Sequence, residues 1–213
     1  MSKIFFGETE FIPRIDRTLW HKNSGTLFLS DLHLGKGSHF RQSGIPVPHQ
    51  SEKADFDRLI MAINETKANS IWILGDLFHY PKSITNQQLA EWNSRWSSVT
   101  CKLNVILGNH DRSGGCFARE LGFQIYPEPT IWNDIELSHH PDDGSQLRIS
   151  GHIHPQVELK SKTDRLVFPC FAIVQERQLL LPAFTEFSGG PRLRSCEAEC
   201  FAITPSGVLS LHN

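Results

Sequence analysis

Five short apolar runs of β character punctuate the chain, and each runs into a polar segment built from Asp, His, Asn and Gly. Thr26-Leu27-Phe28-Leu29 leads to Asp31-Leu32-His33, and Ile71-Trp72-Ile73-Leu74 leads to Gly75-Asp76. Val105-Ile106-Leu107 leads to Gly108-Asn109-His110-Asp111, Ile135-Glu136-Leu137 to His139-His140, and Leu147-Arg148-Ile149 to Gly151-His152-Ile153-His154. Any one of these segments is uninformative, because Asp and Asn are common where a strand enters a turn. Together they constrain the fold strongly. Open α/β sheets build their sites at the carboxyl ends of strands, so five such ends rich in ligating side chains predict one convergent site.

Between these runs the apolar spacing becomes helical. Ser51 is placed to cap a helix running to about Ala68, with Phe56, Leu59, Ile60 and Ile63 on one face. A second helix is predicted from Asn86 to Trp96, burying Leu89, Trp92 and Trp96. A third is predicted from Ser113 to Leu121, closing against Gly122. Strand and helix in alternation predict βαβ units and a largely parallel sheet. The first 25 residues read as a preamble, with one short strand at Lys3-Ile4-Phe5-Phe6 and then a turn-rich stretch. After His154 the pattern changes. Segments 156–160, 165–174, 177–181, 184–187, 199–203 and 208–211 read as short strands, broken by Pro182, Gly189-Gly190-Pro191 and Pro205-Ser206-Gly207. These predict a second, mostly antiparallel sheet packed on the first. With no linker, repeat or low-complexity segment, residues 1–213 are expected to form a single domain, long enough to bury a full core.

The chain is 39% hydrophobic and 21% charged, which is globular in character, and its net charge of -2 provides no overall basic field to draw nucleic acid. No run approaches the ~18 apolar residues of a membrane-crossing helix, and the N-terminus meets charge too early for a signal peptide. Five cysteines (101, 116, 170, 196 and 200), an odd number without a dense framework, suit a reducing cytosol, so the expected location is cytoplasmic. Cys196 and Cys200 are spaced as a metal pair, yet nothing nearby completes the four ligands of structural zinc. They are expected to be ordinary thiols.

Carboxylate, imidazole and amide oxygen are the donors that hold manganese, iron or zinc. Asp31 and His33, if they alternate along an extended chain, face one side and chelate one ion. Asp76, with two carboxylate oxygens, can bridge two. Asn109 offers a neutral oxygen, while His152, His154 and one histidine of the 139–140 pair offer imidazoles. Alternation from Ile135 and Leu137 favours His139, leaving His140 as the alternative. One ion is then held by Asp31, His33, Asp76 and His154, and a second by Asp76, Asn109, His139 and His152. Such ions sit roughly 3.5–4 Å apart, the spacing that clamps the attacking and leaving oxygens of a phosphoryl displacement.

In this order the Asp-x-His, Gly-Asp, Gly-Asn-His-Asp, His and Gly-His-x-His blocks resemble the calcineurin-like metallophosphoesterase superfamily. Ser30-Asp31-Leu32-His33-Leu34-Gly35-Lys36, Phe40-Arg41-Gln42-Ser43-Gly44-Ile45-Pro46-Val47-Pro48 and Gly75-Asp76-Leu77-Phe78-His79 narrow the likeness. So do Gly151-His152-Ile153-His154-Pro155 and the stretch from Leu181-Pro182-Ala183-Phe184 to Ser188-Gly189-Gly190. These resemble the bacterial ligase-associated DNA damage response endonuclease branch. The resemblance implies an α/β fold, a four-layer αββα sandwich of two mixed β-sheets, with two divalent ions, manganese foremost, at its strand ends. It implies phosphodiester hydrolysis by in-line attack of a metal-bound hydroxide, a DNA substrate, and a link to a DNA ligase and a repair nuclease or helicase. Relatives often pair through exposed apolar segments; the sequence leaves the oligomeric state open, with a homodimer as one candidate.

The resemblance places His110 near the leaving group, with Asp111 orienting its imidazole. Arg41 and Asn109 are expected to meet the substrate, Arg41 because guanidinium suits a bidentate phosphate contact; Lys36 and Arg112 are further candidates. His79 is expected to be a packing or hydrogen-bonding residue, and His21, His39, His49 and His212 surface histidines. Trp92 and Trp96 read as core. Two rival functions stand beside the endonuclease: a phosphoesterase for nucleotides or cyclic nucleotides, and a non-catalytic metal-binding scaffold. The intact His110 beside a full ligand set argues against the scaffold.

Overall fold

A computed structural model describes residues 2–48, 50–160, 164–186, 188–194 and 197–211. His49, Phe187, Cys196 and His212 therefore lie outside the described residues.

The first sheet follows chain order. Strands β1 (Ile4–Phe6), β2 (Thr9–Pro13), β3 (Leu19–His21) and β4 (Thr26–Leu29) form an antiparallel meander. Strands β5 (Ser70–Leu74), β6 (Lys102–Ile106) and β7 (Gln124–Tyr126) continue it in parallel. The first 25 residues are thus no preamble. Phe6, Phe11 and Leu19 are fully or almost fully buried, and the segment supplies three strands of a seven-stranded sheet. Helices α1 (Lys36–Gln42) and α2 (Ser51–Thr66) connect β4 to β5, α3 (Asn86–Trp96) connects β5 to β6, and α4 (Gly115–Glu120) connects β6 to β7. The helix α3 has the predicted bounds because Thr85 and Gln88 form a capping box, each side chain satisfying the other's backbone N–H. Ser51 does not cap α2: Gln50 holds that position, and the Ser51 hydroxyl donates to the Pro48 carbonyl. The end of α2 comes at Thr66 because Lys67 turns left-handed (φ 52°). The helix α1 has no counterpart among the sequence-based expectations.

The second sheet begins earlier than the change of pattern after His154. It contains β8 (Thr130–Trp132), β9 (Ile135–Ser138) and β10 (Arg148–Ser150), then β11 (Gln156–Lys160), β12 (Arg165–Val174), β13 (Gln178–Leu180) and β14 (Arg192–Leu193). Strands β15 (Glu199–Thr204) and β16 (Gly207–Leu211) extend it from β12. Most of its pairings are antiparallel, but β9, β10 and β13 run parallel, as do β11 and β14. Of the strand expected at 184–187, residues 184–186 form none and Phe187 lies outside the described residues; Ala183 makes a single bridge to Ser30 and the chain then bends.

Side-chain alternation explains how the layers meet. In β4, Leu27 and Leu29 face the helices while Phe28 faces the other sheet; in β5, Ile71 and Ile73 oppose Trp72 and Leu74. Phe28, Trp72, Leu74 and Ile106 pack on Leu137, Ile149, Phe171, Leu179 and Phe201 of the second sheet. Leu59, Ile63, Leu89, Trp92 and Trp96 cover the outer face of the first. Two mixed sheets packed face to face give the expected α/β fold. Among the described residues the helices flank the first sheet only, and the far face of the second carries small side chains, Cys170, Ala172, Cys200 and Ala202. Cys101, Cys116, Cys170 and Cys200 are free thiols. Among the described residues no helix is long and apolar enough to cross a membrane.

Candidate metal centre

The five strand ends named in the sequence meet where the two sheets meet: β4, β5 and β6 supply one side, β9 and β10 the other. Asp31 and His33 do not alternate along an extended chain, as anticipated. Asp31 (φ 55°), His33 (φ 50°), Asp76 (φ 50°), His152 (φ 65°) and His154 (φ 52°) all adopt left-handed backbone. Asp and His tolerate that region better than most residues, and each such turn folds the chain back so that its side chain enters the site. Strain of this kind, of order 1–3 kcal/mol per residue, persists only where the surroundings enforce it.

Tight packing of glycine against these side chains explains two of the motifs. A Cβ on Gly75 would lie 1.9 Å from Nδ1 of His139, and one on Gly108 would lie 2.2 Å from Oδ1 of Asp76. The Gly-Asp and Gly-Asn segments thus need glycine so that neighbouring donors can approach.

Asp31, His33 and His154 offer donor atoms within 4.8 Å of one another, and so do Asp31, Asp76 and His139. Asp76 Oδ2 lies 3.5 Å from His139 Nε2, 3.9 Å from His33 Nε2 and 4.0 Å from His110 Nε2. His152 Nδ1 lies 3.1 Å from His139 Nε2, which in turn lies 2.9 Å from Asn109 Oδ1. All seven candidate ligands are therefore brought together. Of the 139–140 pair, His139 is fully buried within the cluster, whereas His140 is half exposed with Nδ1 3.3 Å from Glu128. His140 nevertheless stands close enough to form a third compact group with His139 and His152.

Hydrogen bonding around the imidazoles shows what the cluster suits. His139 Nδ1 donates to the Leu74 carbonyl (3.1 Å) and His154 Nδ1 to that of Gly189 (3.1 Å). Each Nε2 is then a lone pair directed inward, and a second partner of this kind fixes the tautomer of a ligating histidine. The lone pair of His139 faces the amide oxygen of Asn109, acceptor against acceptor, a pairing that a cation between them would relieve. Burial, reinforced by Lys36, holds His33 well below the ordinary histidine range, and burial with His139 nearby lowers His152. Neutral imidazole is the ligating form. Burial lowers His154 too, but the Asp31 carboxylate outweighs it and the net shift is upward. Burial raises Asp76 against the pull of His139. These donors fit divalent metal ions.

Other expectations require correction. Asp111 does not orient His110. Its carboxylate, fully buried, accepts the backbone N–H groups of Leu77, Phe78 and Gly108, tying the loop after β5 to the loop after β6. Burial pushes this carboxyl up to about 7 despite those bonds. What orients His110 is the carbonyl of His79, which accepts from its Nδ1 at 2.9 Å. The ring of His79 stacks on that of His110 (centroids 5.3 Å, 19°), and burial, with Lys36 and His110 nearby, lowers it to about 4. Arg41 does not reach the cluster. It lies on the far side of α1, bonded to Ser38 and Pro48, beside a groove lined by Glu52, Gln88 and Trp92. Lys36, on the inward face of α1, is almost fully buried and donates to Ser188 (2.7 Å). Arg112 is exposed. Sequence reasoning missed Glu128, whose carboxylate accepts the N–H groups of both His139 and His140 and so anchors that loop; an isolated Glu between short strands carries no signal for that role.

A model of the calcineurin-like phosphoesterase family matches residues 26–181. The chain belongs to this family. It is a metal-dependent phosphoesterase, a hydrolase, and the match spans every candidate ligand. Similar solved structures include the crystal structure of nuclease MPE from Pseudomonas putida, with 27% identity and a TM-score of 0.84 over 99% of both chains. They also include Yfce, a phosphoesterase from E. coli, with 15% identity and a TM-score of 0.45 over 87% of this chain and 97% of that one. No curated protein matches the sequence. The Pseudomonas likeness, as a nuclease, is consistent with the endonuclease branch that the sequence resembles.

Proposed function

We propose that this phosphoesterase is a dinuclear phosphodiesterase that cleaves DNA internally, as an endonuclease in repair, with manganese as the native metal. The observation that carries the reading is the position of Asp76 Oδ2, between 3.5 and 4.0 Å from the Nε2 atoms of His33, His139 and His110. One carboxylate thus stands between a group of Asp31, His33 and His154 and a group of Asn109, His139 and His152, as a bridge must. Two divalent ions held there supply an activated water and offset charge on the phosphate. The rest falls to the chain itself. Asn109 holds its amide oxygen at the edge of the second group, beside the substrate. His110, partly exposed, holds Nε2 4.0 Å from Asp76 Oδ2, its ring fixed by the Nδ1 bond to the His79 carbonyl. In that position it can protonate the departing oxygen or hydrogen-bond to it. Asp111 holds the two loops on which Asp76 and His110 stand.

Resemblance to the ligase-associated branch and the nuclease likeness support a DNA substrate. A role beside a ligase and a repair nuclease or helicase, a cytoplasmic location, a homodimer and a single domain over 1–213 belong to the same proposal. The apolar layer shared by both sheets supports the single domain. A phosphoesterase for small nucleotides is the second reading, favoured by the net charge of -2.

The test is hydrolysis of bis-p-nitrophenyl phosphate against p-nitrophenyl phosphate in manganese, with Asp76→Ala as control, followed by closed circular DNA. Diester preference abolished in the variant, with nicking of the circle, is the expected result. Monoester preference would overturn the phosphodiesterase, and diester cleavage without nicking would favour the small substrate.

A further inference from the structure

Next to the metal centre, on the side of His154, runs a groove of about 220 Å³ whose walls include Arg17, His154, Gln156 and Ser188. Two cations flank it. Arg17 sits in the turn between β2 and β3 with left-handed backbone (φ 68°), and its Nη1 donates to the Thr185 and Phe184 carbonyls at 2.7 and 3.2 Å. That one nitrogen ties the loop in place. The remaining nitrogens have no bond among the described residues and are not sealed from solvent. Lys36 reaches the groove from the other side, donating to the Ser188 hydroxyl that lines it.

Neither cation has a carboxylate within ion-pair distance among the described residues. Glu186, also on the groove wall, is paired with Arg58 at 3.2 Å. Buried or half-buried charge without a partner is costly. The nearby carboxylates Asp31, Asp55 and Asp76 attract Lys36, and Glu186 and Asp55 attract Arg17. Asp31 and Asp76, however, are candidate metal ligands whose charge bound ions would take up, and Asp55 and Glu186 are both paired with Arg58. The two cations are then left to an incoming anion.

The geometry points to a phosphate-tracking strip made by Arg17, Ser188 and Lys36, which holds the phosphate adjacent to the scissile one on a nucleic-acid strand. This deepens the proposed phosphodiesterase and rests on it. The net charge of -2 provides no overall basic field, so a local strip would have to seat the strand. It would also separate polymeric substrates from small diesters, which have no second phosphate to offer.

Binding, read apart from turnover, tests the strip. A short labelled single-stranded oligonucleotide with hydrolysis-resistant phosphorothioate linkages is titrated by fluorescence anisotropy into manganese-loaded protein over a series of salt concentrations. The variants are Lys36→Met, which keeps the aliphatic stem, and Arg17→Gln, which keeps a donor for the loop carbonyls. Each lost phosphate contact lowers the slope of log K against log salt by about 0.7. Weaker binding with that reduction in each variant, and about twice that in the double variant, is the expected result. Wild-type affinity and slope in Lys36→Met would overturn the strip, and that variant decides the matter if Arg17→Gln does not fold. Hydrolysis of bis-p-nitrophenyl phosphate is followed in parallel on the wild-type protein. Its absence alongside Lys36-dependent strand binding would reject the phosphodiesterase and leave the strip standing.

Discussion

Nε2 of His154 lies 2.9 Å from Oδ1 of Asp31, within ion-pair distance, and both atoms are buried with no other hydrogen-bond partner among the described residues. In the neutral, ligating form of His154, with Nδ1 donating to Gly189, the inward atom is a lone pair facing a carboxylate oxygen. Two acceptors held together in this way are costly unless something positive lies between them. Within a phosphoesterase family this relationship is best understood as half of a metal site, and the expectations below follow from its completion.

Asp76→Ala is expected to abolish hydrolysis and to reduce bound metal from two equivalents to one or none, because the bridging carboxylate serves both groups. Metal content by inductively coupled plasma spectrometry checks this. Two retained equivalents would remove Asp76 from the bridge.

His110→Ala is expected to retain its metal but to turn over at least ~10²-fold more slowly, the lower end for acid–base assistance. Steady-state kinetics with a diester, alongside metal analysis, separate the two effects. An unchanged kcat would exclude His110 from the reaction.

Replacing Asp111 by Ala strips three buried N–H groups of their acceptor. Each unsatisfied group costs about 1–3 kcal/mol, and a chain of this size loses about 2–4 °C of Tm per kcal/mol. Asp111→Asn, which keeps one carbonyl oxygen, is expected to fall between Ala and wild type in a thermal melt.

Gly75→Ala tests the close approach of backbone to ligand. The new Cβ would push into His139 Nδ1 and break its bond to Leu74, at a residue already left-handed (φ 85°). Loss of metal binding together with a lower Tm is expected, whereas a fully metallated protein of wild-type stability would show that the loop relaxes freely.

Stability should also carry a signature of Glu52. Burial raises its carboxyl above the usual range, although it accepts bonds from Gly35 and Trp92. A raised folded pKa means the folded state binds more protons than the unfolded one, so this group's contribution falls as pH rises from the unfolded to the folded value. Glu52→Gln, which still accepts both bonds, is expected to raise Tm at pH 7 and to change it little at pH 4. Equal effects at both values would contradict a raised pKa.

Much of the site was legible along the chain because its motifs are local. Asp31, His33, Asp76, Asn109, His152 and His154 stand directly after apolar runs, and the glycines beside them mark where a Cβ would collide with a donor. Alternation on β9 separated the buried His139 from the half-exposed His140. The helix α3 was equally plain from the spacing of Leu89, Trp92 and Trp96, all buried on one side.

What tertiary structure alone decided depends on partners distant in sequence. Backbone conformation at Asp31 and His33 is set by bonds to Gly75 and Asp76, not by the strand before them. Asp111 binds N–H groups 33 and 34 residues away. Membership of β9 and β10 in the second sheet follows from their pairing with β13 and β8. Arg41 and Lys36 lie on one short helix and look alike in sequence, yet only packing decides which faces the site. Local sequence thus determined which residues could ligate and where strands end, whereas the long-range bonds determined which way each side chain points.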